Sequence, residues 1–380
     1  MKIVLATPLY PPEIGGPATY THELAIRLRE KHGITVLAYA DAPLPIERVT
    51  LVAISKRQAL PLRLIRFFFA LLRRARGADL IYVQNAVAAG LPVALVSALL
   101  GKPFIVKFVG DEAWERATQR RVTDKRLEDF LAEPTSDLRT RMFLGIQKFV
   151  LSRARIVTTP SAYLRDTLIR AYKLSPERVV VNYNAAESGP HVPFAATPTP
   201  HQIAATARLV AWKGIDGIIR ALARIIPQFP DARLVIAGEG PEEARLKALV
   251  AELGLTEHVS FLGHVSRAET WHLRKSSAVY VLNSTYEGLP HTALTSFAAR
   301  IPIIATDIPG TNEAVIHETT GLLVRPKDDD ALAQAITRIF TDEALAARLV
   351  ENANRSLEET FSWKAHLSVL EGFFETVQRR

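Results

Sequence analysis

Short runs of β-branched and aliphatic residues alternate with helical patterns along the whole chain, and this alternation constrains the fold more than any single motif. Strands separated by crossover helices belong to parallel sheets covered on both faces. In the first half such runs lie at 3–7, 34–39, 80–84, 104–109, 155–159 and 178–183, and Leu24, Ala25 and Leu28 mark one face of a helix over 17–31. The second half restarts the pattern, with runs at 203–207, 233–237, 259–262, 278–282 and 303–305. Its first helix is strongly periodic, with Ile215, Ile218, Ile219, Leu222, Ile225 and Ile226 on one side. A second helix, near 242–253, opens after Gly240-Pro241 and stops at Gly254.

Between the halves, residues 185–200 contain Pro190, Pro193, Pro198 and Pro200 and show neither period. This is the domain boundary. A length of 380 residues suits two domains, expected at 1–185 and 201–361 with 186–200 as linker. The expected architecture is α/β: two Rossmann-like, doubly wound parallel-sheet domains facing across a cleft. In such sheets ligands sit beyond the carboxyl ends of the strands, so strand-to-helix turns are where chemistry is sought. From Phe361-Ser362-Trp363 to Arg380 one more amphipathic helix follows, with Trp363, His366, Leu367 and Leu370 on its apolar face.

The net charge of +8 is unevenly distributed. Residues 1–190 hold 28 Lys and Arg against 17 Asp and Glu, whereas the remainder holds 19 against 22. Arg63, Arg66, Arg73, Arg74 and Arg76 frame a helix that also contains Phe67, Phe68 and Phe69, a composition suited to an anionic membrane interface; an ordinary amphipathic helix packed on a sheet is the competing reading. The apolar stretch at 86–100 carries Gly90 and Pro92 and is shorter than a membrane span, so it reads as a buried helix. Met1-Lys2 leads directly into a strand rather than a signal-peptide core, which gives a cytoplasmic expectation. The absence of cysteine excludes disulfides and thiolate chemistry. No nucleic-acid module is recognisable, so the basic half does not imply a nucleic-acid partner.

Several strand-to-helix turns carry residues suited to a phosphorylated, hydroxyl-rich ligand. Ser284-Thr285-Tyr286-Glu287-Gly288-Leu289-Pro290 places a carboxylate beside a helix opening at Pro290, with free amides at Gly288 and Leu289. After the first strand, Glu13-Ile14-Gly15-Gly16-Pro17 leads into a helix, and paired glycines there permit close approach of a phosphate or sugar. It is not the six-residue dinucleotide fingerprint, because no further glycine follows at the required spacing. Arg208 and Lys213, within Arg208-Leu209-Val210-Ala211-Trp212-Lys213-Gly214, could converge on a diphosphate, one as a fork and the other as a point charge. Gly238-Glu239-Gly240-Pro241 and Leu262-Gly263-His264 follow the next two strands.

This ordered set, together with Ala305-Thr306-Asp307, Gly310, Glu313, Gly321-Leu322-Leu323-Val324 and Phe361-Ser362-Trp363, resembles the retaining nucleotide-sugar glycosyltransferases of family four, which have the two-domain GT-B fold. The resemblance covers nearly the whole length. It implies that Arg208 and Lys213 hold the donor diphosphate, that Gly16 backs its distal phosphate, and that Glu287 bonds donor sugar hydroxyls. It also implies that the final helix, about 362–380, crosses back to complete the first domain, and that no metal is required. Gly15, Gly238, Gly240, His264, Gly288 and Leu289 would line the nucleotide-sugar site.

Two positions depart from the family pattern. Where relatives usually carry a second glutamate that grips the ribose, this chain has Thr295. A hydroxyl there forfeits on the order of 1–2 kcal/mol of charge-assisted hydrogen bonding. Where many relatives carry a histidine before Gly-Asp, this chain reads Val109-Gly110-Asp111. Asp111 is a candidate contact to donor or acceptor, with helix N-capping as the competing role. The expected activity is transfer of a sugar from a nucleotide-diphosphate donor to an acceptor hydroxyl with retention. The expected acceptor is anionic, a glycan or lipid-linked, on the inner face of the cell membrane. A sugar-nucleotide 2-epimerase and a non-catalytic sugar-nucleotide-binding protein are the alternatives.

Overall fold

The computed structural model describes residues 1–13, 15–186 and 198–378, and most of the expected linker therefore lies outside the described residues. The chain divides into two compact units: Met1–Asn182 with Val369–Arg380, and Tyr183–Ser368.

The first unit runs β1 (Lys2–Thr7), α1 (Gly16–Leu28), β2 (Gly33–Tyr39), β3 (Thr50–Ile54), α2 (Leu60–Ala75), β4 (Leu80–Gln84), α3 (Gly90–Leu100), β5 (Phe104–Lys107), α4 (Glu112–Gln119), α5 (Leu127–Ala132), α6 (Leu138–Arg153), β6 (Ile156–Thr159), α7 (Ala162–Tyr172) and β7 (Val179–Val181). Its seven strands are ordered β3-β2-β1-β4-β5-β6-β7 and pair in parallel. The second unit runs β8 (Thr199–Thr206), α8 (Ile215–Ile225), β9 (Arg233–Ala237), α9 (Glu243–Glu252), β10 (Val259–Phe261), α10 (Arg267–Lys275), β11 (Ser277–Leu282), α11 (His291–Ala299), β12 (Ile303–Thr306), β13 (Leu322–Val324), α12 (Asp329–Thr341), α13 (Glu343–Glu359) and α14 (Trp363–Gln378). Its six strands are ordered β10-β9-β8-β11-β12-β13, again parallel. The last helix starts in the second unit, and its residues from Val369 onward belong to the first.

The expected strands form, with two additions. β3 and β13 lie at sheet edges and are short, so neither declares itself as a long apolar run. The run at 104–109 ends as a strand at Lys107, and Val109 is exposed. The stretch at 86–100 is not buried throughout. α3 starts only at Gly90 and lies as an outer layer, with Leu95 and Leu99 turned out and Val93 and Val96 turned in. Pro290 is the N-cap of α11 rather than a first-turn residue, because its ψ of 110° is extended. α8 matches its periodicity: Ile215, Ile218, Ile219, Leu222 and Ile225 all pack into one core with β8 and β9. Among the described residues no helix is long and apolar enough to cross a membrane.

The first unit buries a cation at the end of β5. Lys107 is 3% exposed, with its ammonium 4.2 Å from the centre of the Tyr20 ring on α1. No carboxylate pairs with it among the described residues. Burial pushes its ammonium down from 10.5 to about 7. A lysine whose folded value lies below its unfolded one is protonated more readily when unfolded. Stability is therefore lost as pH falls from about 10.5 towards 7, and levels off below that. Lys107→Met is expected to raise the unfolding free energy near neutral pH by up to about 5 kcal/mol. The gap from wild type should close as pH rises past 10, as measured by denaturant unfolding across pH.

Candidate functional site

In the second unit the strand order reverses between β8 and β11, which lie side by side at the centre of the sheet. Connections from these two strands leave in opposite directions, opening a crevice at their carboxyl ends. Two loops, 207–214 after β8 and 283–290 after β11, border it. The backbone amide of Thr285 donates to the Trp212 carbonyl at 2.8 Å, and Asn283 Nδ2 donates to the Gly214 carbonyl at 2.9 Å. Gly214 has φ of 62°, and a Cβ there would stand 2.1 Å from the Asn283 carbonyl oxygen. Only glycine meets both demands.

This stitching delivers two sequence-predicted residues to one place. Lys213 ends the single 3₁₀ turn Ala211–Lys213, and its Nζ lies 2.5 Å from Glu287 Oε1. Ser284 Oγ donates to the same oxygen at 2.7 Å. Both charged side chains are largely buried, at 22% and 12% exposed. Glu287 Oε2 has no protein partner among the described residues, which leaves one carboxylate oxygen to accept from a ligand hydroxyl. Arg208 leaves the end of β8, is exposed and makes no ion pair among the described residues. The crevice thus holds one cation neutralised by a carboxylate and one that is free.

The remaining loops interlock around this pair. A Cβ on Gly238, at φ of 135°, would come within 1.9 Å of the Ala207 carbonyl oxygen, and one on Gly240 within 2.3 Å of the Leu209 carbonyl oxygen. Leu209 N donates to the Glu239 carbonyl at 2.8 Å, and Gly238 N to that of Gly263 at 2.8 Å. Gly238 and Gly240 therefore serve loop-to-loop packing directly, whatever they offer a ligand. The backbone amide of His264 donates to Glu239 Oε1 at 3.1 Å, and the imidazole is exposed at the rim. Gly310, at φ of 83°, presses against the carbonyls of Glu287 and Gly288. The amides of Gly288 and Leu289 precede α11 without backbone acceptors among the described residues. The Leu289 side chain is in the core, so only its main chain can meet a ligand.

Thr295 lies two turns along α11 and donates its hydroxyl to the helix's own carbonyls, at His291 (3.0 Å) and Thr292 (3.1 Å). Its proton is already committed, so towards a ribose it offers only lone pairs. Ser284 and Asn283 are the functional neighbours that sequence reasoning did not assign. Ser284 stands three residues before Glu287, within reach of its carboxylate, and that spacing was the available signal.

The other sequence-predicted residues lie in the first unit. Gly15 is the N-cap of α1, with extended backbone at φ of 163°. A Cβ on Gly16 would meet nothing within 4 Å. Ile14 lies outside the described residues, and Glu13 pairs with Lys56. Asp111 does not face a site. It is 1% exposed and caps α4 by accepting from the Trp114 amide, while Tyr172 Oη at 2.5 Å and Gln147 Nε2 at 3.0 Å donate to its other oxygen. Burial pushes its carboxyl up. Its place as a ligand contact is corrected to that of a buried helix cap, because three donors inside the unit satisfy it.

Residues 14–188 match the family model described as Glycosyltransferase Family 4, and residues 193–356 match Glycosyl transferases group 1. An uncharacterized glycosyltransferase of Methanocaldococcus jannaschii is 36% identical over 156 residues, covering 41% of this chain and 40% of that protein. The lipopolysaccharide core biosynthesis glycosyltransferase LpsD of Rhizobium meliloti is 33% identical over 190 residues, covering 49% and 54%. The chain thus spans about half the length of these curated relatives. Among solved structures, sucrose-phosphate synthase from Thermosynechococcus elongatus superposes with a TM-score of 0.79 at 20% identity, covering 99% of this chain and 98% of that one. Anabaena HepE, solved in complex with UDP, gives 0.76 at 20% identity with both chains fully covered. These likenesses establish the GT-B fold. Each half is thus matched by its own glycosyltransferase family model, residues 14–188 by one and 193–356 by the other, and the GT-B fold is shared end to end.

Proposed function

We propose that the protein transfers a sugar from a nucleotide-diphosphate donor to an acceptor hydroxyl, with retention at the anomeric carbon. The observation that carries this reading is the pairing of Lys213 with Glu287 beside the unpaired Arg208, at the point where the strand order reverses. The anomeric carbon–phosphate oxygen bond breaks as the diphosphate leaves, and the new bond to the acceptor oxygen forms on the same face. The acceptor proton passes to the departing phosphate. Arg208, Lys213 and the amides before α11 stabilise the developing negative charge, and this preorganised field is the main source of rate. In this reading the two cations supply the charge that a metal would otherwise bring. Glu287 accepts from a sugar hydroxyl through its free Oε2. HepE, solved with UDP and with UDP-glucose, makes uridine donors the first to test. The lipopolysaccharide relatives support a glycan acceptor, and the basic first half favours an anionic or lipid-linked one at the inner face of a membrane, approached through α2.

Four substitutions separate the parts of this proposal. Arg208→Ala and Lys213→Ala are each expected to lower kcat/KM at least ~100-fold, with the melting temperature unchanged for the exposed Arg208 and lowered for Lys213, whose loss leaves the Glu287 carboxylate buried without its counter-charge. Most of the activity surviving in both would overturn the site. In Glu287→Gln, transfer should fall on the order of 100-fold, yet a nucleoside diphosphate should bind at least as tightly by calorimetry, because Lys213 is released from its carboxylate. Weaker diphosphate binding in that variant would mean that Glu287 serves the nucleotide rather than the sugar. Gly16→Ala fills open space at the first position of α1, so the melting temperature should hold while the donor KM rises roughly tenfold or more if a phosphate approaches there. The donor base would follow from ligand-induced thermal shifts across UDP-, GDP- and ADP-sugars.

A further inference from the structure

Three helices on one side of the first unit carry no carboxylate, whereas α4 and α5 in the β5–β6 crossover and α7 in the β6–β7 crossover do. The crossovers from β3 to β4, β4 to β5 and β5 to β6 all step the same way across the sheet, and right-handed connection places α2, α3 and α6 on the same side. α2 packs on α3, and α3 on α6. None of the three contains Asp or Glu, whereas α2 holds four arginines and α6 holds Arg139, Arg141, Lys148 and Arg153. Most other helices of the protein carry acids, among them α8, α9, α10, α12 and α13.

The outward stripes of these helices are also apolar. On α2, Leu62, Ile65 and Phe69 recur at helical spacing, with Phe69 62% exposed, and Arg66 and Arg73 lie on the same stripe. α3 turns out Leu95 and Leu99, the latter 65% exposed, and carries no charge at all. α6 turns out Leu138, 82% exposed, and Met142, interleaved with Arg141 and Lys148. Arg63 is not part of this surface, because it lies over the Tyr39 ring and donates to the Lys56 carbonyl. Arg66, Arg73, Arg141 and Lys148 have no acidic partner among the described residues. Of the acids beside these helices, Asp79 accepts from the Lys2 amide, Asp137 caps α6 and pairs with Arg120, and Glu112 of α4, which packs on α6, pairs with Arg116.

We infer that α2, α3 and α6 together form a docking face for an anionic lipid bilayer. The inference rests on the membrane-surface reading of α2 above and widens it to three helices. Side chains such as Phe69, Leu99 and Leu138 would enter the acyl boundary, while the guanidinium and ammonium groups meet lipid phosphates. Two features favour a bilayer over a soluble protein partner: the positive charge is distributed across two helices that carry no acid of their own, and the apolar side chains protrude from convex helices rather than line a groove.

The test is flotation of the full chain with vesicles of phosphatidylcholine, with and without phosphatidylglycerol, at low and high salt. Wild type should bind only the anionic vesicles and lose binding as salt rises. Arg66→Glu with Arg73→Glu on α2, and Arg141→Glu with Lys148→Glu on α6, should each weaken binding on the order of 30-fold or more, at about fivefold per charge removed. Leu99→Ser on the uncharged α3 should weaken it as well, with less change in salt dependence. Unchanged melting temperature and unchanged transfer to a soluble acceptor would show that the variants fold. If the α6 pair and Leu99→Ser leave binding untouched while the α2 pair abolishes it, the three-helix face is wrong and the single-helix reading stands. Equal binding to neutral vesicles, or none to either, would overturn both, while activity on a soluble acceptor would leave the transferase assignment standing.

Discussion

The structure of the second unit depends on the hydrogen bonds and close backbone contact that join the loops after β8 and β11. Gly214 in its left-handed conformation lies against Asn283, and the Thr285 amide reaches Trp212. Neither loop alone fixes its charged residue. Together they set Lys213 and Glu287 2.5 Å apart in a setting where both are mostly withdrawn from water. An ion pair of this kind contributes modestly to stability, since desolvation offsets much of the attraction. Its value lies in holding two opposite charges ready to be redistributed when a ligand enters. The glycines at 238, 240 and 310 extend the same logic, because each lets one backbone approach another more closely than any side chain permits. The floor of the crevice is therefore closely packed where Lys213 and Glu287 are held.

The first unit handles its buried polar groups differently. Asp111 is fully satisfied by a helix amide, Tyr172 and Gln147, and so serves the fold. Lys107 is not satisfied by any acid among the described residues and rests on the face of Tyr20, which recovers only part of its lost hydration. Two ionisable residues four positions apart are thus both penalised by burial in their charged forms, but one regains three hydrogen bonds as a cap while the other regains only a ring face. Beyond them, three outer helices of this unit, α2, α3 and α6, present apolar and cationic side chains without acids of their own. A chain can tolerate such a face in water when charge repulsion between copies keeps them apart.

Much of the site was legible in the chain because its residues follow strands directly. Arg208 through Gly214 and Ser284 through Pro290 stand at strand ends, and the apolar runs before them declare those ends. Asp111 was not legible in the same way: a carboxylate after Gly110 has the same local sequence whether it faces a ligand or caps a helix. Its neighbours Gln147 and Tyr172 lie 36 and 61 residues away and decide the matter only once α6 and α7 have packed. The short edge strands β3 and β13 escaped notice because pairing on one side, rather than a long apolar run, defines them.

By itself the sequence determined the α/β class, the two halves and the order of the loops that carry charge, since hydrophobic period and turn chemistry are local properties. Only the tertiary structure decided that Lys213 is already neutralised by Glu287 while Arg208 has no ion pair among the described residues, that Thr295 bonds back to its own helix, and that three acid-free helices separated by other elements pack side by side. These are relations between residues far apart in the chain. Strand order and crossover handedness set them, and no short window of sequence contains either.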